Sequence, residues 1–164
     1  MHIPEGVISG GQTGVDRGAL DAAARAHIKI GGYVPKYRKS ESGRVPDHYP
    51  MWETDDLGFA TRTRRNIQEA GATLILSWGP MKATGGTRFT LNECLRLGVV
   101  HKVVNLKDRT CAEKITTWLN ETKPRILNVA GPRESKTPGV QARTTEVLLT
   151  VFASASSSSS TTTP

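Results

Sequence analysis

From residue 6 to residue 152, short apolar runs alternate with stretches of helical periodicity, the pattern of an α/β fold with a mainly parallel sheet. Apolar runs at 7–9, 28–34, 72–77, 99–106 and 125–130 predict five strands, and the third, Ala-Thr-Leu-Ile-Leu-Ser, reads as buried on both faces. Helices are expected at about 15–27, where alanines crowd, and at 58–70, 87–97 and 111–121. A last helix is expected to open at Pro138, with Thr137 as its N-cap, and to reach about residue 152. Gly31 and Gly32 weaken the second strand and point to a bulge or a close backbone approach, while Pro46 and Pro50 forbid a long helix within 35–57.

Three strand-to-helix junctions carry glycine loops: Ser9-Gly10-Gly11-Gln12-Thr13-Gly14, Thr84-Gly85-Gly86-Thr87, and Gly131-Pro132-Arg133-Glu134-Ser135. Such loops let bare backbone N–H groups and helix N-termini hold the phosphate of a nucleotide-like ligand. In the first loop Gln12 and Thr13 supply hydrogen bonds, and Asp16 and Arg17 fall on the next helical turn. In the second, Thr87 is a candidate N-cap for the helix that follows. In the third, Arg133 can grip a phosphate bidentately or pair with Glu134. The sheet order expected from these loops is 2-1-3-4-5, which sets the first two side by side. Lys36, just after the second strand, and Arg62 stand out from the basic residues between the first two loops.

The patterns that usually own such loops do not fit. No Gly-Lys-Ser/Thr follows the first loop, which disfavours ATP hydrolysis, and Pro35-Lys36 stands where a dinucleotide fold would place an acidic residue for the ribose. No residue is assigned a catalytic role: Asp16, Glu93 and Glu134 are the carboxylates nearest the loops, and each is as readily a dipole partner as a base. The four histidines and two cysteines lack metal-ligand spacing.

Composition narrows the setting. A chain of 164 residues has the length of one domain, here taken as residues 1–152, and its net charge of +7 permits an anionic ligand. Nucleic acid is not indicated, because aromatics make up only 5% and no long basic run appears. Residues 153–164 form a Ser/Thr-rich low-complexity tail, which is expected to stay disordered. With no apolar stretch of membrane-spanning length and two well-separated cysteines, a soluble cytoplasmic protein is expected.

The segment from Ile8 to Asp21 (ISGGQTGVDRGALD), with Gly31-Gly32, Pro35-Lys36, Arg62-Thr63, Asn66, Thr84-Gly85-Gly86-Thr87 and Leu127 to Ser135 (LNVAGPRES), resembles the molybdenum carrier family, which includes the molybdenum cofactor carrier proteins. The resemblance implies a Rossmann-like three-layer fold, distantly similar to the cytokinin-activating nucleoside monophosphate phosphoribohydrolases. It also implies a homo-oligomer, a tetramer among its forms, that binds, protects and delivers the molybdenum cofactor to molybdoenzymes such as nitrate reductase. Molybdate and a nucleotide derivative are the other ligands to weigh. The last would make the chain a sensor or a phosphoribohydrolase-like enzyme, whose hallmark P-G-G-x-G-T-x-x-E lacks its third glycine and its glutamate here. Carried onto this chain, the cofactor-binding set is Gly10, Gly11, Gln12, Thr13, Gly14, Arg17, Lys36, Arg62, Gly85, Gly86, Thr87, Gly131, Arg133, Glu134 and Ser135. Tyr37 stands where that pattern has glycine, so a different backbone path is expected there and the place of Arg38 is left open.

Overall fold

The five apolar runs pair as one parallel sheet: β1 (Gly6–Ile8), β2 (Lys29–Gly31), β3 (Ala72–Ser77), β4 (His101–Asn105) and β5 (Ile126–Ala130). The computed structural model describes residues 1–158, with side chains through residue 153. Five helices flank the sheet: α1 (Val15–Arg25), α2 (Phe59–Glu69), α3 (Gly86–Leu97), α4 (Cys111–Thr122) and α5 (Val140–Ser158).

The alternation along β3 assigns the layers, because successive side chains leave a strand on opposite faces. Leu74 and Leu76 join Val15 and Ala19 of α1, Ile115 and Leu119 of α4, and Leu148 and Phe152 of α5 in the main core. Ile75 faces the other way, onto Ile67 of α2 and Cys94 of α3. Helices therefore cover both faces of the sheet, whose β1 and β3 are buried along their whole length, a Rossmann-like three-layer α/β fold.

The strand order is 2-1-5-3-4 and not the expected 2-1-3-4-5. β5 inserts between β1 and β3, with Leu127 opposite Val7 on one side and Ala72 on the other. Local hydrophobic pattern says which residues form strands but not which strands meet. If the chain is read from β5 through α5 into β1, the order becomes 3-2-1-4-5, that of the dinucleotide-binding fold. The third glycine loop, after β5, is thus the central one.

Several ends differ from expectation for local reasons. β2 stops at Gly31 because Gly32 has φ +131° and lies against β1, where a Cβ would sit 2.1 Å from the Ser9 carbonyl oxygen. Beyond it Tyr33–Val34 leaves the main sheet and pairs in parallel with Trp52–Glu53. Gly32→Ala is expected to cost about 3 kcal/mol in a urea titration, since it combines that clash with a backbone conformation closed to side chains. The last helix opens at Val140, two residues after Pro138, because Gly139 takes φ +91°, and Thr137 is therefore not its cap. α5 continues past residue 152 to Ser158, into the stretch expected as a tail, and residues 159–164 lie outside the described residues.

Candidate functional site

With β5 central, the loops after β1, β5 and β3 open side by side at the carboxyl edge of the sheet, where open α/β sheets bind ligands. They enclose a cleft of about 920 Å³, within the range of small-molecule sites. Gln12 and Asp16 line it from the first loop and α1, Gly131, Pro132 and Arg133 from the third loop, and Gly85, Gly86 and Thr87 from the second. Five cationic side chains face the space, Arg62, Lys82, Arg88, Arg133 and Lys136. The one carboxylate among them, Asp16, is committed to Arg62 at 3.4 Å.

The Asp16–Arg62 pair forms the floor. Arg62 lies directly across Gly10, where a Cβ would come within 1.4 Å of its Nη1, so this position has no room for a side chain. Burial pushes the Asp16 carboxyl up from its ordinary 3.8, against the pull of the Arg62 guanidinium and the Gln12 N–H that donates to it at 3.2 Å. Two donors beside this pair, Arg62 Nε and Gln12 Nε2, are buried without a hydrogen-bond partner. A buried donor left unpaired costs about 1–3 kcal/mol, and an acceptor-bearing ligand would relieve that cost.

The cleft's far wall is the start of α3. Its N-cap is Gly85, with φ +99°, and Thr87 lies inside the first turn, not at the cap as expected. A helix leaves its first N–H groups without intrahelical acceptors, and the dipole there favours an anion. Lys82 and Arg88 stand beside this end, tied together by Arg88 Nε donating to the Lys82 carbonyl at 2.8 Å. Phe59, at the head of α2, has Arg62 and Arg133 at 5.4 and 5.7 Å from its ring centre. Phe59, Trp78, Lys82 and Arg88 were not singled out by sequence reasoning. The signal for Trp78 is its place directly after β3.

Several of the expected binding residues support the loops instead of facing the cleft. Arg17 is buried, donating to the Gly11 carbonyl and to Ser40 Oγ, each at 3.0 Å. Gly11 packs toward Val34 and Val45, and Gly14, with φ +86°, passes so close to the Pro132 carbonyl that a Cβ would lie 2.4 Å away. Glu134 caps α5: its carboxylate accepts from the N–H of Gly139 at 2.6 Å and of Gln141 at 2.9 Å. Arg133 pairs not with Glu134 but with Glu41, at 3.7 Å. Thr13 and Ser135 also donate to Glu41, and Glu93 is held by Arg64 and Arg96, away from the cleft lining.

Lys36 is exposed and lies outside the cleft lining. Tyr37 holds the left-handed conformation, φ +64°, that a glycine would adopt freely. The following Arg38 is buried and donates to the carbonyls of Val45, Pro46 and Tyr49, organising the irregular segment.

The chain matches the model of the circularly permutated YpsA SLOG family over residues 7–152. It belongs to that family. The permutation in the family's description agrees with a sheet that reads 3-2-1-4-5 once β5 is placed first. This family member is also similar to a crystal structure from Syntrophus aciditrophicus SB, a protein provisionally named a molybdenum carrier. The two chains share 37% identity over 92% of this chain and 96% of that one, with a TM-score of 0.84. No curated protein matches the sequence significantly. Among the described residues no helix is long and apolar enough to cross a membrane, and no group of three or more His, Cys, Asp or Glu is placed to hold a metal ion.

Proposed function

We propose that this permutated YpsA family member binds the molybdenum cofactor in the cleft, protects it, and passes it to molybdoenzymes such as nitrate reductase without turning it over. The observation that carries this reading is the cleft's charge balance: five cations, of which Arg62 is paired with Asp16 and Arg133 with Glu41, and two unpartnered buried donors, against one lining carboxylate that is already paired. That is a holder for an acceptor-rich anion. In this reading the cofactor's phosphate lies at Gly85, Gly86 and Thr87 near Arg88, while Gln12, Arg62, Gly131 and Arg133 contact the rest of the ligand. Gly10, Gly11, Thr13, Gly14, Arg17, Glu134 and Ser135 act by shaping the loops, and Lys36 by adding charge outside the cleft. A homo-oligomer in the cytoplasm is part of the same proposal.

The enzyme reading, a phosphoribohydrolase-like activity on nucleoside monophosphates, lacks a free base in the cleft. Three residues on from Thr87, where the motif's threonine is followed by glutamate, stands Thr90, and it donates to the Gly86 carbonyl at 3.1 Å. Glu93, one turn further along α3, is bonded to two arginines.

Anaerobic purification from a cofactor-producing host is expected to yield protein carrying a phosphate-bearing pterin, detected by fluorescence after oxidation. Adding that protein to cofactor-free nitrate reductase is expected to restore its activity. Absence of pterin and of transfer, with turnover of a nucleoside monophosphate, would replace the carrier reading by the enzyme one.

A further inference from the structure

Glu41 sits at the tip of a short antiparallel turn, Lys39–Ser40 against Gly43–Arg44, that reaches over the first and third glycine loops. Its carboxylate accepts from Thr13 Oγ1, from the Ser135 N–H at 3.2 Å and from Ser135 Oγ at 2.5 Å, and it faces the Arg133 guanidinium at 3.7 Å. One backbone N–H, two hydroxyls and a guanidinium converging on a carboxylate are the donor set of an oxyanion site. Burial raises the Glu41 carboxyl, but the bonds from Ser135 and Thr13 and the charge of Arg133 outweigh it and hold the group below the usual carboxylate range.

In the unpermuted order the loop after β5 is the first strand-to-helix loop of the dinucleotide fold, where a phosphate ordinarily docks. We propose that Glu41 is an internal stand-in for a phosphoryl group in a second oxyanion site, made by Thr13, Ser135 and Arg133, and that an incoming phosphoryl oxygen takes its place. The turn is built to let the tip go while its base stays. Ser40 Oγ accepts from Arg17 Nη2 at 3.0 Å and donates to the Gly43 carbonyl at 3.1 Å, whereas Gly43, with φ +100°, has nothing packed where a side chain would be. At 3.7 Å the Arg133 contact is an ion pair without a hydrogen bond, so the guanidinium can turn to a ligand at little cost. Movement of the tip reaches the cleft floor directly, because the Glu41 N–H donates to Gln12 Oε1 at 3.0 Å.

The site goes beyond the carrier reading, and its test uses inorganic phosphate on the full-length protein without cofactor. Thermal unfolding is followed across a phosphate titration at constant ionic strength. Glu41→Ala is expected to bind phosphate about tenfold more tightly than the parent chain, the equivalent of one charge-assisted hydrogen bond freed from competition. The added Arg133→Met change is expected to abolish that gain. If Glu41→Ala does not fold, Glu41→Gln keeps the side-chain volume while removing the competing charge, and a smaller gain in the same direction is expected, because the amide oxygen still accepts from Thr13 or Ser135. No gain in either variant, or a gain that survives Arg133→Met, overturns the proposal. Retention of the pterin by the parent chain is measured separately, so failure here leaves the carrier reading standing, and the reverse also holds.

Discussion

Arg62→Ala is expected to destabilise the protein by about 3–5 kcal/mol at neutral pH, because it strands the Asp16 carboxylate in the floor of the cleft without its counter-ion. Asp16 is only 4% exposed, and the partners it keeps, the Gln12 backbone N–H at 3.2 Å and the Ser9 hydroxyl, carry no charge. The pH dependence follows from the direction of the shift. Burial already raises the folded carboxyl above 3.8, and removing the guanidinium raises it further. The folded chain then keeps a proton that the unfolded chain releases near 3.8. Stability is therefore highest below that value and falls as pH rises through the folded carboxyl's range, by about 1.4 kcal/mol per unit within the window. Urea titrations of the parent and variant at pH 4 and pH 8 check this: the deficit of Arg62→Ala should be smaller in acid. Adding Asp16→Asn should recover most of the loss at pH 8. Equal deficits at both pH values, with no recovery in the double variant, would assign the loss to Arg62 packing on Phe59 instead.

The same pair marks how far the sequence could be read. The strands and helices were legible because each obeys its own period: the β3 run is buried on both faces, and α1 is rich in alanine. The three loops were legible as strand-to-helix junctions, because glycine supplies the backbone conformations such turns need, as Gly14 and Gly85 do at φ +86° and +99°. What joins them was not. That Arg62, 46 residues along the chain from Asp16, crosses Gly10 depends on α2 packing over the sheet, which no local pattern encodes. The strand order failed for a related reason, since nothing local in β5 says that it pairs between β1 and β3. The cap on α5 shows a third kind of miss. Glu134 reaches forward to Gly139 and Gln141, so a carboxylate expected at the ligand is spent on a helix terminus, while Glu41, from an irregular segment that offered no motif, takes Arg133.

Arg133→Glu is expected to give the largest loss of cofactor retention among single changes to the cleft rim, about 100-fold, because it removes a charge-assisted contact and places a carboxylate beside Glu41. Arg133→Met separates the two effects. Its side chain is 35% exposed and its ion pair with Glu41 lacks a hydrogen bond, so stability should change by less than about 1 kcal/mol. Retention should still fall by about tenfold, one hydrogen bond to an anion. Arg125→Met supplies the control: that arginine is 72% exposed, pairs with Glu5 just before β5, and lies at the opposite end of the strand from the cleft. Pterin retained after gel filtration, measured by fluorescence at two salt concentrations, reads all three. In the parent chain retention should weaken as salt rises, and Arg133→Met should flatten that dependence because one of the screened charges is gone. If Arg133→Met and Arg125→Met retain the ligand equally well, Arg133 serves the Glu41 turn and not the cofactor, and the anion must be held by Arg62 and the start of α3 alone.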